Sequence, residues 1–334
     1  MPARSSLGRS RSIAFRSIAL LVLAAACWAA GTVVSKQAVA EVPPLTLLAV
    51  QLAASVAFLL IVARVRGERL PTRGDGRNLA RLGLLNPGLA YALSLVGLVE
   101  ITASVAVLLW ALEPIMILVL AAMVLREHVG PPVIAGSVAA VAGLALVVAE
   151  PAGGGSIAGI GLTIGGVAVC AVYTVASRRW LPGTSDSTLG VVAGQQVHAL
   201  ALAVVVVLVF GATGQAVLPA TVSIGGLAAA LGSGLLYYAF AYLFYLSALR
   251  EIRASVAASS FYLIPVIGLA LASVAGERLE PPQWLGATVV VAAVATITVL
   301  GIRRSGSDSA ETDQPSSAPA SAQTATTPRP ASRS

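Results

Sequence analysis

Charged residues are scarce in this sequence. They make up 10% of its 334 residues, against roughly a quarter in an ordinary soluble domain. Hydrophobic residues make up 57%, which excludes an ordinary soluble protein and places the chain in the membrane class. Cysteine is scarcer still. Cys27 and Cys170 each lie inside an apolar run, where we expect free thiols and no disulfide framework.

Motifs of catalysis and of metal binding are also missing. The sequence contains no HExxH, GxxxxGK[ST] or GxSxG pattern. Ser233 and His198 form a serine–histidine pair to consider for an intramembrane protease, but Leu231 stands where that motif would have its first glycine. Neither cysteine has ligand-type neighbours at metal-binding spacing. We therefore predict no enzymatic activity, no metal site and no cofactor.

Long apolar runs fill most of the chain. About 20 apolar residues are needed to cross the roughly 30 Å hydrocarbon core of a bilayer. Ten segments are candidates: 17–35, 45–63, 79–98, 102–125, 132–149, 157–177, 187–210, 222–248, 254–275 and 283–302. The first resembles a secretory signal, but its apolar run continues to Val34, so we expect it to be retained as a helix. The sequence predicts an all-α integral membrane protein with ten transmembrane helices.

Basic residues separate by side of the membrane. Cytoplasmic loops collect Lys and Arg, and ten spans divide the remaining chain into eleven segments that alternate sides. The odd-numbered segments hold 19 of the 21 basic residues, and the even-numbered segments hold only Lys36 and Arg278. This separation predicts that both termini are cytoplasmic, in the plasma or inner membrane. Because topology accounts for the net charge of +7, we predict no nucleic-acid partner.

One short stretch occurs twice. LVEITASVA, at residues 98–106, recurs as LREIRASVA at residues 249–257. Five predicted spans separate these two loops, so the copies face opposite sides of the membrane, and the two added arginines mark the cytoplasmic copy. Inverted repeats are a known transporter design, in which substrate binds near mid-membrane between the two halves.

The repeat divides the chain into four parts. A cytoplasmic N-terminal segment, 1–16, precedes a first five-helix repeat, 17–149, and a second, inverted five-helix repeat, 157–302. The remaining residues, 303–334, are mostly Ser, Ala, Thr and Pro with scattered charges. Such a composition cannot bury a core, so we expect a disordered cytoplasmic tail.

The repeat also carries a family resemblance. Pro114 and Glu127 in the first half match Pro265 and Glu277 in the second, and each pair follows an ASVA helix start. The sequence thereby resembles EamA-type transporters of the drug/metabolite transporter superfamily. The resemblance implies ten helices, cytoplasmic termini and a central cavity lined mainly by helices 1–4 and 6–9. It also implies export of amino acids, other metabolites or drugs. Gln51 stands where the family's second helix often carries an arginine.

Glu113 is the sharpest candidate for function. It lies midway along the fourth predicted span, where a charged side chain costs roughly 2.5–3.5 kcal/mol on insertion scales. One interpretation is a carboxylate that binds a cation or couples transport to protons. The other is a protonated glutamate with a structural hydrogen bond. Pro114 and Pro265 are expected to bend their helices, either as hinges of alternating access or as static kinks.

Other candidates are polar or aromatic. Gln195 and His198 are three residues apart, share a helix face, and are predicted either to bind a polar substrate or to pack. Gln51 is the rough counterpart of this pair in the first half. Several aromatic side chains are predicted to line the cavity, with packing as the alternative: Trp28, Trp110, Tyr173, Tyr238, Tyr242, Phe261 and Tyr262. Glu127 and Glu277 lie at helix ends, which favours ion pairing or capping.

The combined features predict a secondary transporter, an exporter of small metabolites, amino acids or drugs that works by alternating access. Proton coupling through Glu113 is part of this hypothesis. Two alternatives stay open at this stage: a membrane scaffold or receptor without transport, and a lipid flippase. The expected partners are a small-molecule substrate and the lipid bilayer. The sequence leaves the oligomeric state open, with a homodimer as one arrangement.

Overall fold

The computed structural model describes residues 3–98, 100, 109–110, 112–127, 129–147, 156–215, 217–219, 221–274 and 281–312. Every regular element within these ranges is helical. The α-helices are α1 Ala3–Val39, α2 Pro44–Val65, α3 Gly74–Arg81, α4 Ala90–Leu98, α5 Leu112–Val124, α6 Pro131–Val147, α7 Ile157–Trp180, α8 Thr188–Ala212, α9 Ile224–Gly234, α10 Ala241–Glu251, α11 Ala254–Ala258, α12 Leu263–Val274 and α13 Pro281–Thr312.

Five of the helical segments are long and apolar enough to cross a membrane. They are Phe15–Val39, Pro44–Val65, Ile157–Gly183, Thr188–Ala212 and Ile224–Glu251. Four shorter apolar helices accompany them: Leu112–Val124, Pro131–Gly143, Ala254–Gly268 and Trp284–Ile297. An all-helical, multi-pass membrane protein is thus confirmed, whereas the number ten stays a prediction.

The third predicted span, 79–98, is a broken helix. A wide π-helical turn, Leu85–Leu89, interrupts it between α3 and α4. Within that turn Asn86 has φ −142° and ψ 122°, outside the helical region. The residue before a proline is disfavoured in the α conformation, and Pro87 follows, so the break has a local cause.

The two ends of the helical region differ from the predicted limits. Helix α1 begins at Ala3, within the predicted N-terminal segment, and α13 continues to Thr312, ten residues into the tail predicted to be disordered. Adding a residue to an existing helix fixes one residue for one hydrogen bond, so an apolar helix can extend into polar sequence. Residues 313–334 lie outside the described chain.

The two halves pack in matching pairs. Helix α1 contacts α10 and α12, and α7 makes the corresponding contacts with α4 and α5. The main-chain segments of the two halves come closest at two matching glycines. A Cβ atom on Gly83 would collide with the main chain of Gln195, and one on Gly234 would collide with the main chain of Gln51. Only glycine allows backbones to approach this closely, as small residues do generally in membrane bundles.

Helices α6 and α13 pack mainly on each other. A Cβ atom on Gly136 would lie 2.5 Å from Ile297 Cγ1, and one on Gly143 would lie 2.9 Å from Gly286 O. Tyr262, the last residue of the 3₁₀ turn Ser259–Tyr262, is buried against these two helices with Ala140, Ala287 and Val290 in a small apolar cluster. This pair therefore forms a unit beside the main core, and it draws Tyr262 away from the centre.

Glutamates of the first half bind serines at helix starts of the second half. The hydroxyl groups of Ser156, Ser187 and Ser223 cap α7, α8 and α9 by accepting the main-chain N–H of the residue three positions later. These hydroxyls donate in turn to Glu100 at 2.6 Å, to Glu68, and to Glu41 at 2.8 Å. Such caps satisfy N–H groups that a helix start leaves free.

Glu127 makes the fourth contact of this type. Its carboxylate accepts Ala254 N at 2.9 Å, Ser255 N at 3.2 Å and Ser255 Oγ at 2.7 Å, all at the start of α11. The side chain thus caps a helix in the other half of the chain. This agrees with the capping interpretation of Glu127; its counterpart Glu277 lies outside the described residues.

Candidate functional site

Nine aromatic side chains form one connected cluster in the centre of the bundle. Neighbouring rings have centroids 5.0 to 6.4 Å apart. The members, called here the aromatic cluster, are Trp28, Tyr91, Trp110, Tyr173, Tyr237, Tyr238, Tyr242, Tyr245 and Phe261. Six of the chain's seven tyrosines belong to it. Because both halves supply members, relative motion of the halves would change these ring contacts.

Trp28 is a hub of the aromatic cluster. Its ring lies 5.7 Å from Tyr242, 5.6 Å from Tyr245 and 5.4 Å from Phe261, each in an edge-to-face arrangement. The side chain is 6% exposed, and its Nε1 donor finds no hydrogen-bond partner within the described residues. A buried donor left unpaired costs free energy, so this N–H is available for an acceptor on a bound molecule.

Glu113 lies next to the aromatic cluster. Its side chain, in the first turn of α5, is 8% exposed. It is close enough to Cys170, Tyr237 and Tyr245 for electrostatic interaction. In the part of the chain that the structure describes, no hydrogen bond or ion pair engages its carboxylate. A buried carboxyl group in neutral surroundings usually serves a function.

Two helices with π-helical turns lie at the site, and the first of them is broken at Asn86. The turn Leu85–Leu89 of the first half has a counterpart in Leu235–Phe240 of the second, which carries Tyr237 and Tyr238. The hydroxyl of Tyr242, in the first turn of α10, donates to Asn86 Oδ1 at 2.8 Å and so links α10 to the first of these turns. Wide turns of this kind occur frequently at functional sites, and broken helices surround the substrate in many transporters.

Gln51 lies at one of the close helix crossings. Its Nε2 donates to Ser35 Oγ and Ser233 Oγ, both at 2.8 Å. The side chain is 5% exposed, so the amide joins α1, α2 and α9. Ser233 is therefore bonded to Gln51 and to Ala230 O, and not to His198. Gln51 thus has helix-holding contacts in addition to its predicted role toward substrate.

Gln195 and His198 have separate partners. Gln195 Nε2 donates to Leu79 O at 3.0 Å, and its Oε1 accepts the Tyr173 hydroxyl at 2.9 Å, which ties it to the aromatic cluster. His198 Nδ1 lies 2.8 Å from Gly194 O on its own helix. The structure therefore brings Gln195 to the candidate site, and it does not join the two side chains as a pair.

The predicted aromatic residues divide into two groups. Six of the seven lie in the aromatic cluster, and Tyr262 lies between α6 and α13; the six are Trp28, Trp110, Tyr173, Tyr238, Tyr242 and Phe261. Sequence reasoning missed Tyr91, Tyr237 and Tyr245 as members. A signal was available, because Tyr238, Tyr242 and Tyr245 follow the i, i+4, i+7 spacing of one helix face.

The prolines lie close to the site. Pro114 directly follows Glu113 and is buried. Pro265 is the third residue of α12, and a 3₁₀ turn, Ser259–Tyr262, precedes it. A proline removes a hydrogen bond one turn back, so the irregular turn stands where that bond is lost.

Two cavities are present at the end of the bundle predicted to be cytoplasmic. One of about 620 Å³ is lined by Arg126, Arg178 and Arg253 among others, and one of about 430 Å³ lies between α5 and α7. Neither includes Glu113 or a member of the aromatic cluster.

A multi-pass helical membrane protein with a buried carboxyl group, a central aromatic cluster and a broken helix beside them has the features of a transporter. The profile of the EamA-like transporter family matches residues 15–149 and 157–299. The chain belongs to the EamA-like transporter family, in which the match covers two repeats. The family resemblance read from the two proline–glutamate segments is thereby confirmed.

Comparison of folds points the same way. One crystal structure, whose description names no function, superposes on this chain with a TM-score of 0.71 at 21% sequence identity. The alignment covers 89% of this chain and 99% of the other. At that identity the likeness shows the fold alone. A search of curated proteins found no match to this chain.

Proposed function

We propose that this protein is a secondary exporter of small organic molecules that bind at the aromatic cluster and exchange for protons at Glu113. It would work by alternating access in the plasma or inner membrane, with both termini cytoplasmic. Membership of a transporter family supports transport of small solutes. The substrate class, the direction and the coupling are the parts proposed here.

The observation that carries the proposal is the buried carboxyl group of Glu113, for which the described residues supply no hydrogen-bond or ion-pair partner. It is buried beside Tyr237 and Tyr245, and no basic side chain among the described residues pairs with it. Helix packing alone gives no reason to keep such a group at this depth, where an isoleucine, Ile264, occupies the matching position of the second half. A ligand cation or a proton would compensate the charge.

The surroundings favour a substrate with a positive group and an apolar body. Aromatic faces attract cations and flat apolar groups. The unpaired Trp28 Nε1–H adds one donor for an acceptor oxygen on the same molecule. Amino acids, their derivatives and amphipathic drugs combine these features.

The exchange would follow from competition at one carboxylate. A deprotonated Glu113 binds the cationic group of the substrate from the cytoplasm, and a proton arriving from outside displaces it. The reset carrier then releases the proton on the cytoplasmic side, so one proton enters for each substrate exported. Binding of both at once is disfavoured, because the protonated carboxyl group no longer attracts a cation.

The two helices that contain π-helical turns are proposed to move during transport. The turns at Leu85–Leu89 and Leu235–Phe240 lack regular α-helical hydrogen bonding, and the second of them carries Tyr237 and Tyr238. Rocking of one half against the other would separate these rings on one side at a time. Pro114, in the first turn of α5, and Pro265, in the first turn of α12, would absorb part of the bend.

The test compares small molecules inside and outside cells that express the wild type, Glu113→Gln or no transporter. Glu251→Gln serves as the matched control, because this glutamate is exposed at the end of α10. We expect Glu113→Gln to lower export by about tenfold or more, since a hydrogen bond to a charged group contributes about 1.5–3 kcal/mol. The control should export like the wild type.

A second measurement separates transport from coupling. Export by the wild type should rise as the outer pH is lowered, whereas the residual export of Glu113→Gln should not respond to outer pH. If Glu113→Gln keeps both the rate and its pH response, the coupling proposal is wrong and transport stands. If the wild type matches the empty vector for all compounds despite confirmed membrane expression, export itself is wrong.

A further inference from the structure

A basic cavity opens at the end of the bundle that is predicted to face the cytoplasm. Its volume is about 620 Å³. Four arginines and one glutamate line it, together with three less polar residues: Arg126, Arg178, Arg179, Arg253, Glu127, Val124, Leu125 and Pro182. The proposed transport mechanism uses none of these side chains.

The charges in the basic cavity do not balance. Glu127 directs its carboxylate to the start of α11. Arg178 donates Nη1 to Leu249 O and Arg250 O, at 3.0 and 2.9 Å, and thus holds the end of α10. Arg126 and Arg179 are exposed. Glu251 also lies close enough to Arg178 for electrostatic interaction, so the surplus positive charge that attracts anions is that of the exposed Arg126 and Arg179.

The backbone at Arg126 adds an independent observation. Its φ is 55°, in the left-handed region, directly after α5 ends. Leu125 N and Glu127 N both donate to Ala121 O, at 3.0 and 3.2 Å, which is the helix end that usually carries glycine at this position. The matching residue of the second half is indeed Gly276. An arginine here opposes the backbone preference, so its side chain has a reason of its own to be present.

An apolar groove continues from the basic cavity. It has a volume of about 430 Å³, lies between α5 and α7, and shares Val124 and Arg179 with the cavity. Its other lining residues are Leu120, Val172, Val175, Ala176 and Trp180. A tryptophan at a helix end is typical of the membrane interface. The groove therefore runs along the bundle toward the hydrocarbon, and the cavity opens at headgroup level.

We propose that an anionic phospholipid binds here, with its phosphate in the basic cavity and one acyl chain in the apolar groove. The surplus of arginines selects an anionic headgroup over a zwitterionic one. The groove selects a lipid over a soluble phosphate. Basic pockets between helices on the cytoplasmic side are suited to such headgroups. The site is separate from the aromatic cluster, so this inference stands or falls apart from the proposed export.

The test uses the full chain in neutral detergent, titrated with phosphatidylglycerol or phosphatidylcholine, with bound lipids counted by native mass spectrometry. The wild type should bind phosphatidylglycerol preferentially. Arg126→Gly combined with Arg179→Gln should weaken it by about thirtyfold, because each basic residue near the surface contributes about a factor of five. Arg64→Gln with Arg66→Gln removes equal charge at the end of α2, outside the cavity lining, and should leave affinity within about twofold.

Arg126→Gly alone guards against loss of fold. It removes the charge and also relieves the left-handed backbone, so thermal stability in phosphatidylcholine should stay equal or rise while phosphatidylglycerol affinity falls. In the groove, Ala176→Trp should block the acyl chain, whereas Ala201→Trp, on the exposed face of α8, should not.

Three outcomes would overturn the proposal. Equal binding of the two lipids by the wild type removes the headgroup preference. Equal weakening in the Arg64 and Arg66 control shows diffuse surface charge instead of a site. Displacement of phosphatidylglycerol by about 1 mM glycerol phosphate, together with no effect of Ala176→Trp on lipid binding, would assign the cavity to a soluble anion.

Discussion

Glutamates of the first half occupy two kinds of place in this molecule. Glu41, Glu68, Glu100 and Glu127 lie near helix starts, and each accepts hydrogen bonds from a serine of the second half. Glu113 lies in the centre, buried, with no such donor among the described residues. Glutamate thus joins the two halves at the periphery of the bundle, whereas in the centre it has no hydrogen-bond donor among the described residues.

The difference lies in what removal would do. A peripheral glutamate satisfies main-chain N–H groups, so its loss leaves those donors unpaired and loosens the contact between the halves. The central glutamate satisfies nothing in the described structure, so its neutralisation should relieve the fold and impair the function. Residues that lower the stability of the fold and are nevertheless present are typically functional.

The largest expected effect on stability is that of Glu127→Ala. This change removes three accepted hydrogen bonds at the start of α11. The free energy of unfolding should fall by about 2–3 kcal/mol, the range for hydrogen bonds to a charged group. Thermal unfolding in detergent with a thiol-reactive dye would measure it in a Cys27→Ser background, because the remaining thiol, Cys170, is 1% exposed and becomes accessible on unfolding.

A double-mutant cycle with Ser255→Ala sharpens this test. Ser255→Ala alone removes one donor at 2.7 Å and should lower stability by about 1 kcal/mol. The two changes together should lower it by less than the sum of the single effects, because both remove the same contact. Additive losses would contradict the capping role of Glu127.

The next effect has the opposite sign. Glu113→Gln replaces a buried ionisable group with a neutral one of similar shape, so stability should rise by about 1 kcal/mol while export falls. The same thiol-dye assay applies, at neutral pH and without substrate. A loss of stability as large as that of Glu127→Ala would show a structural hydrogen bond at Glu113 and remove its contrast with the periphery.

Much of this comparison was accessible from sequence, and part of it was not. Depth within a predicted span identified Glu113, and repeat position favoured a capping role for Glu127. The partners were not predictable, because Ser255 lies 128 residues from Glu127 in the chain and is brought to it only by packing of the halves. Gln51 illustrates the same limit, since its contact with Ser233 depends on the close crossing at Gly234.

The arginines of the repeated loop show a second kind of limit. Their absence from the first copy was explained by topology alone. In the structure Arg250 Nη2 also donates to Asp186 O at 2.6 Å, and Arg178 holds the end of α10. A residue can satisfy the rule for cytoplasmic loops and still make specific contacts, which hydropathy and charge patterns do not reveal.

A smaller effect is expected at Trp28, where the aromatic cluster would sense the substrate. Trp28→Phe keeps an aromatic ring and removes the unpaired Nε1 donor. Stability should change by less than about 1 kcal/mol, while the KM for export should rise with little change in kcat, as for loss of a binding contact. An unchanged KM, measured with a compound that the wild type exports, would exclude Nε1 from substrate binding.

The smallest expected effect concerns Glu41 and appears only in acid. Hydrogen bonds from Ser223 N at 2.6 Å and Ser223 Oγ at 2.8 Å hold the pKa of this exposed carboxyl below its usual value. Since the folded-state pKa is lowered, the stabilisation is fully present above the usual pKa of about 4.3 and is lost as pH falls through the lower folded value. Glu41→Gln should therefore unfold at a lower temperature than the wild type at pH 7, and the difference should shrink toward pH 3. Asp75→Asn, in the first turn of α3, controls for loss of an exposed acid elsewhere. A difference that stays constant with pH would show that the contact does not depend on the charge of Glu41.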